Sequence, residues 1–307
     1  MQSKPSLFMG NVLMVIAAAL WGFTFVAQKT GMDHLEPLMF TAIRFALGAT
    51  CLLFLIRFLG KQKLNREGMI AGLIMGVLIT LGITLQQIGI VETTAGKSGF
   101  LTAIYILLVP IFLSIGGEKL PIQVWPAVVL ALIGLYFLTI KDTPIAEMLS
   151  SINKGDYWVL ACSIFWALHI IYVGKAARNH DPLRLSIVQF YTCAVLSFIA
   201  ALVFEPVVFT DIAVGVKGAW LEIAYSSIAS VAIAFTLQVF AQQSVPPHYA
   251  AMILSLEAVF AVIGGVLLIG EILTTRMMFG FGLIFAGIIL AQYDFKKAPK
   301  VATDKTL

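Results

Sequence analysis

The stretch Leu7–Ala27, LFMGNVLMVIAAALWGFTFVA, holds no ionisable residue. A helix rising 1.5 Å per residue crosses about 30 Å of hydrocarbon in about twenty residues, so this stretch is long enough to span a bilayer. Lys4 before it and Ala17-Ala18-Ala19 inside it imitate a secretory signal. The apolar length exceeds a signal core and more spans follow, so it reads as an uncleaved first helix. Comparable runs recur near residues 37–58, 68–91, 97–116, 121–140, 155–174, 183–204, 218–242, 247–269 and 275–293. None alternates polar with apolar residues as barrel strands do. The connections are short and carry turn or cap residues, as in Gly60, Asn65-Arg66-Glu67, Asp142-Thr143-Pro144, His180-Asp181-Pro182 and Pro246-Pro247. Only Glu92 to Lys97 separates the third run from the fourth.

Composition agrees. Of 307 residues, 60% are hydrophobic and 12% charged, about half the charged share of a soluble domain, and mean hydropathy is +0.97. So few charges cannot cover an aqueous surface, and the lipid bilayer is the natural solvent. The net charge of +4 is spread over short loops and the tail, with no basic face to hold nucleic acid. Cys51, Cys162 and Cys193 all sit in apolar runs. Their odd number and spacing oppose a disulfide framework and a zinc site, and no cofactor or metal motif is present.

Lys and Arg divide unevenly between the two sides. Lys4, Arg57, Lys61, Lys63, Arg66, Lys119, Lys175, Arg178, Arg184, Lys296, Lys297, Lys300 and Lys305 fall on one side. Lys29, Lys97, Lys141, Lys154, Lys217 and Arg276 fall on the other, and Arg44 lies inside a helix. The bias places both termini in the cytoplasm and requires an even number of spans.

The chain also repeats itself. Leu20-Trp21 returns as Phe165-Trp166, 145 residues later, and at that offset Leu38 falls on Leu183, Arg44 on Gln189 and Phe45 on Phe190. Further on, Thr84-Leu85-Gln86 returns as Thr236-Leu237-Gln238, and Gly117-Glu118 as Gly270-Glu271. The common order of these matches makes two halves of five helices each. Five is odd, so the second half enters the bilayer from the opposite face. Inverted repeats of this kind supply two exchangeable conformations around a site at the midplane, which is the requirement of a carrier working by alternating access.

These residues resemble the drug/metabolite transporter superfamily, in particular its EamA-like ten-helix permeases. The resemblance rests on Ala19-Leu20-Trp21-Gly22, Arg44-Phe45, Leu256-Glu257-Ala258-Val259, Leu268-Ile269-Gly270-Glu271 and the Gly280…Gly287 spacing. It covers nearly the whole chain in two copies, residues 8–140 and 155–293, followed by a basic cytoplasmic tail at 294–307. The family often has proline where this chain has Ala258, so a less kinked ninth helix is expected. The resemblance implies a multi-pass carrier in the bacterial cytoplasmic (inner) membrane, typically an exporter of amino acids, metabolites or toxic compounds.

Candidate site residues are polar groups that hydrocarbon penalises. Arg44 costs about 2.5 to 3.5 kcal/mol at the centre of a spanning helix. It therefore pairs inside the bundle, contacts an anionic substrate or gate, or snorkels outward. Glu257, in the ninth helix at a similar depth, pairs with Arg44, carries a coupling proton, or hydrogen-bonds to hold a bend. Gln86, Gln189 and Gln238, like Gln87, Gln242 and Gln243, are amides in apolar helices that must face inward, toward a cavity or a neighbouring helix. Trp21, Trp166 and Tyr105 offer deep aromatic surface, for lining or for packing, whereas Trp125, Trp158 and Trp220 lie near helix starts as interface anchors. His169 is a bundle histidine or a proton relay. Gly72-xxx-Gly76, Gly264-Gly265 and Gly282 with Ala286 and Gly287 mark close helix contacts, and a tenth-helix surface would serve a homodimer if the protein is not a monomer.

Other function classes lack their signatures. No Walker motif supports ATP hydrolysis, no His-Glu-x-x-His or Gly-x-Ser-x-Gly supports an enzyme, and no charge ring supports a channel. The reading that remains is secondary transport, by export, of a small polar metabolite such as an amino acid or carboxylate, driven by a proton or substrate gradient, with Glu257 a candidate carrier of a coupling proton. Broad multidrug efflux is the alternative. A reporter active only in the cytoplasm, fused after Leu307, is expected to be active; an external signal there would overturn the charge-based orientation.

Overall fold

The computed structural model describes residues 4–59, 65–93, 95–139, 152–269 and 272–293. Gly60, Lys61, Lys63, Lys141, Asp142-Thr143-Pro144, Gly270-Glu271 and the tail 294–307 lie outside the described residues. The regular structure is helical throughout. Among the described residues nine helices are long and apolar enough to cross a membrane, and Val124–Thr139 is a shorter apolar one.

The ten spans are α1 (Leu7–Gly31), α2 (Pro37–Leu59), α3 (Arg66–Glu92), α4 (Ala95–Thr102 and Tyr105–Ile115) and α5 (Val124–Thr139) in the first half. The second half comprises α6 (Lys154–Ala176), α7 (Pro182–Phe204), α8 (Trp220–Ala241), α9 (Pro247–Ile269) and α10 (Thr275–Gln292). A short helix, Phe209–Gly218, which hydropathy does not single out, joins α7 to α8.

Several ends are capped as the loop residues require. Asn65 Oδ1 accepts from Gly68 N at 2.9 Å, Asp181 Oδ1 from Arg184 N at 2.9 Å, and Asn153 and Asp156 cap reciprocally at 3.0 and 2.9 Å. Caps of this type contribute about 1 kcal/mol each. The N-terminus of α2 is satisfied differently. Glu205, just past the end of α7, accepts from Leu38 N at 2.5 Å and Met39 N at 3.0 Å. Partial burial raises the Glu205 pKa, the two amide donors pull it down, and Glu36 pushes it up again. A carboxylate on a helix N-terminus also opposes the macrodipole's positive end.

Helix contacts respect the repeat. Helix α3 lies along α6 and α7, while α8 lies along α1 and α2. Helix α4 packs on α6, and α9 on α1; α2 crosses α7, and α5 crosses α10. Exchanging the halves maps this set onto itself, so a pseudo-two-fold axis passes through the bundle. Because each half crosses five times, the halves run in opposite directions.

The axis relates irregularities as well. Helix α4 breaks between Thr102 and Tyr105, and α9 breaks at Ser255, between Leu254 and Leu256. At the 152-residue offset of Gln86 and Gln238, Thr102 falls on Leu254 and Tyr105 on Glu257. Helix α9 is thus interrupted three residues before Ala258, at a serine. Ser255 turns its hydroxyl back to Met252 O at 2.6 Å, giving the freed backbone carbonyl a donor.

Small residues set the closest approaches. A Cβ on Gly76 would fall 2.4 Å from Thr192 Cβ of α7, and one on Gly280 2.6 Å from Gly134 O and 2.9 Å from Leu138 N of α5. Gly282, two residues along, has nothing within 4 Å, so it does not share the close-contact role of Gly287. Gly280→Leu is expected to force α5 and α10 apart and cost about 1–3 kcal/mol, lowering the thermal midpoint in detergent. Gly282→Leu should leave the midpoint unchanged, and equal losses in the two variants would refute this packing.

Candidate functional site

A cavity lies where the two halves meet, walled by α1, α2, α3, α4, α6, α8 and α9. Twelve of its fifteen lining residues form six repeat-related pairs. They are Trp21 with Trp166, Phe25 with Ile170, Ile83 with Phe235, Gln86 with Gln238, Thr102 with Leu254, and Tyr105 with Glu257. The cavity therefore sits on the pseudo-two-fold axis. Gln28, Arg44 and Ser230 complete it without counterparts.

Phe235 is the centre of the aromatic wall. Its ring lies 4.5 Å from Trp21 and is stacked 6.0 Å from Trp166, the two repeat-related indoles. Phe45 and its counterpart Phe190 each lie 6.0 Å from Phe235 and 5.9 Å from one another. A π-helical run in α8, Ser226–Phe235, ends on this residue. Such widened turns re-aim side chains and occur disproportionately at functional sites. Neither Trp21 Nε1 nor Trp166 Nε1 has a hydrogen-bond partner, so both indole donors remain unused.

The charged groups are disposed unequally. Arg44 is 1% exposed, with its guanidinium 5.3 Å from the Phe45 ring and 5.6 Å from the Phe40 ring. Those faces offer cation–π attraction, but Arg44 makes no hydrogen bond or ion pair among the described residues, and its Nε is unpartnered. Glu257 instead accepts a hydrogen bond from Tyr105 at 3.2 Å. That bond joins the broken α4 to the broken α9 through repeat-equivalent residues. Gln86 Nε2 donates to Thr102 Oγ1 at 3.1 Å, and Gln238 Nε2 to Gln242 Oε1 at 3.1 Å.

Arg44, Gln86, Gln238, Trp21, Trp166, Tyr105 and Glu257 thus line one cavity, while Gln189 and His169 do not. Those two are fully buried beside it and bonded to each other, His169 Nε2 to Gln189 Oε1, at 3.0 Å. Gln87 contacts Met32 Sδ at 3.4 Å, outside the cavity. Sequence reasoning passes over Phe25, Gln28, Ile83, Thr102, Ser230 and Phe235. Gln28 carried a usable signal, an amide one residue beyond the first apolar run; Phe235 carried none, because its place depends on the π-helical turn.

Chemically, the cavity presents a guanidinium without a bonded partner among the described residues, one carboxylate with a phenolic donor, buried amides and aromatic walls. It can receive a carboxylate at Arg44 and an ammonium or a proton at Glu257, with flat or apolar groups against Trp21, Trp166 and Phe235.

Comparisons with known proteins agree with this architecture. The chain is 30% identical over 281 residues to an uncharacterized transporter of Archaeoglobus fulgidus, covering 91% of this chain and 84% of that one. It is 27% identical over 307 residues to the threonine/homoserine exporter RhtA of Escherichia coli strain K12, covering 94% and 93%. The uncharacterized transporter YoaV of Bacillus subtilis strain 168 is 24% identical, covering 92% of this chain and 97% of its own. A solved crystal structure superposes with a TM-score of 0.75 at 18% identity, over 94% of this chain and 98% of that one, and shares its fold. The model of the EamA-like transporter family matches twice, at residues 8–140 and 153–293. The chain is a multi-pass membrane transporter, not an enzyme, and belongs to the EamA-like transporter family.

Proposed function

We propose that this carrier exports a small zwitterion, an amino acid, across the bacterial cytoplasmic membrane, with both termini in the cytoplasm. The observation that carries the reading is Arg44. A cation held in an apolar bundle without a carboxylate partner is costly, and a substrate carboxylate would supply the missing charge in the geometry guanidinium groups favour. Glu257, on the axis, offers the opposite charge to the substrate's ammonium. Between substrate molecules Glu257 takes up a proton instead, which couples the two flows. The repeat-related units 8–140 and 155–293 move as the two partners of alternating access. The threonine/homoserine specificity of RhtA supports an amino acid and supports the outward direction.

A second reading, efflux of lipophilic cations, is favoured by the Trp21, Phe235 and Trp166 rings that line the cavity with Glu257. The two readings diverge at Arg44, which a cation would avoid.

Counterflow of radiolabelled threonine in vesicles holding the purified protein is expected to be saturable. A charge-assisted contact is worth about 1.5–3 kcal/mol, so Arg44→Ala should reduce that counterflow about 10- to 100-fold, with Arg44→Lys between the two. Arg44→Ala should leave the thermal midpoint within a few degrees. Undiminished counterflow in Arg44→Ala, or flux of cationic dyes with none of any amino acid, would sink the amino-acid reading. In the same vesicles Glu257→Gln is expected to abolish the response of counterflow to an imposed pH gradient, and a full response would remove Glu257 from coupling.

A further inference from the structure

The cavity's departure from two-fold symmetry has a direction. Gln28 and Arg44, two of its unmatched lining residues, lie three residues from the end of α1 and seven from the start of α2. Both are on the face of the bundle where α1 ends. Their counterparts, Val173 and Gln189, lie toward the other face, where α1 begins, and do not line the cavity. Thus the cavity extends past the axis on one side, the hollow side, and not on the other, the filled side.

Interhelical hydrogen bonds occur on both sides of the axis, through different residues. On the filled side, His169 of α6 is bonded to Gln189 of α7 at 3.0 Å, and Gln242 Nε2 of α8 donates to Ile170 O of α6 at 2.8 Å. Gln238 Nε2 donates in turn to Gln242 Oε1. On the hollow side, the counterparts of His169 and Gln189 are Thr24 and Arg44. Thr24 donates only to Leu20 O of its own helix at 2.7 Å, and Arg44 has no such bond. The counterpart of Gln242 is Ile90, which has no side-chain donor. Helices α6, α7 and α8 are therefore tied together by side chains whose counterparts do not tie α1, α2 and α3; the hollow side is held instead by Gln87 Nε2 of α3 to Met32 Sδ past the end of α1 at 3.4 Å, and by Tyr225 of α8 donating to Leu20 O of α1 at 3.0 Å.

We propose that this structure is open toward the face where α1 ends, and that His169–Gln189 and Gln242–Ile170 form the seal that separates the site from the other face. The seal is built to be broken as well as made. His169 Nδ1, Gln189 Nε2 and Gln238 Oε1 are buried without partners, so the closed arrangement leaves polar groups unmet that rearrangement can satisfy. The sequence makes the seal one-sided. The first half lacks the histidine and the second amide, so closure of the hollow side relies on a different contact, such as a bound anion drawing α2 to its neighbours through Arg44. That last step rests on the substrate reading above; the location of the seal does not.

The test is labelling of single cysteines by a membrane-impermeant maleimide, in a background carrying Cys51→Ser, Cys162→Ala and Cys193→Ala. Lys4→Cys, exposed before α1, marks one face. Gln28→Cys is expected to react from the opposite face, at least fivefold faster than Val173→Cys reacts from either. Adding Gln242→Leu or His169→Phe, each of which breaks one tie, should raise the Val173→Cys rate at least threefold from the Lys4 face. Thermal midpoint and size-exclusion profile confirm that a variant is folded, and either variant alone suffices. Equal reactivity of Gln28→Cys and Val173→Cys in the parent would overturn the proposal. So would an unchanged Val173→Cys rate in a folded seal variant. Neither readout involves a substrate, so loss of threonine counterflow with the expected labelling pattern would refute the cargo and leave the seal standing.

Discussion

Hydrocarbon offers a polar group no partner, and this protein is organised around that constraint. A guanidinium in mid-bilayer costs about 2.5 to 3.5 kcal/mol even on permissive scales, so Arg44 can only face inward. The same penalty turns the amides of Gln86, Gln189, Gln238 and Gln242 away from lipid. What faces lipid is apolar, as Phe8, Phe54, Phe204 and Phe209 show, each well over half exposed. Once the polar groups are inside, they must be bonded to each other, to backbone, or to cargo. On this ground the cavity and its seal are two outcomes of one rule, reached in different halves of a repeated chain.

The repeat supplies the site and its breakdown supplies the direction. Six pairs of equivalent residues surround the axis, including both indoles, both glutamines and the Tyr105–Glu257 pair. Duplication alone would place either two phenols or two carboxylates at the axis. Two carboxylates there would repel one another, and two phenols would leave no charge for an ammonium or a proton. Divergence to one of each lets a single hydrogen bond connect the interrupted helices while keeping one titratable oxygen pair in the cavity. The exchange of Arg44 for Gln189 has the parallel effect, placing the guanidinium on one side of the axis only.

Much of this was legible in the sequence because it depends on length and period. Ten apolar runs predict ten spans, and their observed limits differ from the runs by only a few residues. Trp21/Trp166 and Gln86/Gln238 were recognisable as equivalents from order alone. Partners across helices were not legible. Hydropathy shows that His169 and Gln189 avoid lipid, but nothing in their spacing shows that they meet each other. An Arg44–Glu257 pair was equally open to the sequence, and the structure gives Glu257 to Tyr105 instead. The breaks at Thr102–Tyr105 and Ser255 escaped because no proline marks either, and the π-helical run in α8 escaped because widened turns carry no compositional signal. Glu205 escaped for a similar reason: its capping role depends on the end of α7 arriving beside the start of α2.

The interrupted helices then explain how a rigid bundle could switch. A continuous helix transmits a tilt along its whole length, whereas an interrupted one can move its two ends separately. Helices α4 and α9 are interrupted at equivalent depths, and the only hydrogen bond between Tyr105 and Glu257 spans the interruptions. A ligand at the Glu257 carboxylate would compete with Tyr105 for its oxygens, and a proton would leave only a neutral, weaker acceptor, so either would loosen the link between the two breaks. Occupancy of the site and freedom of the hinges thereby depend on the same oxygen atoms. On the proposed coupling role of Glu257, binding at its carboxylate would reach the hinges through Tyr105 and not through the proposed seal residues of α6, α7 and α8.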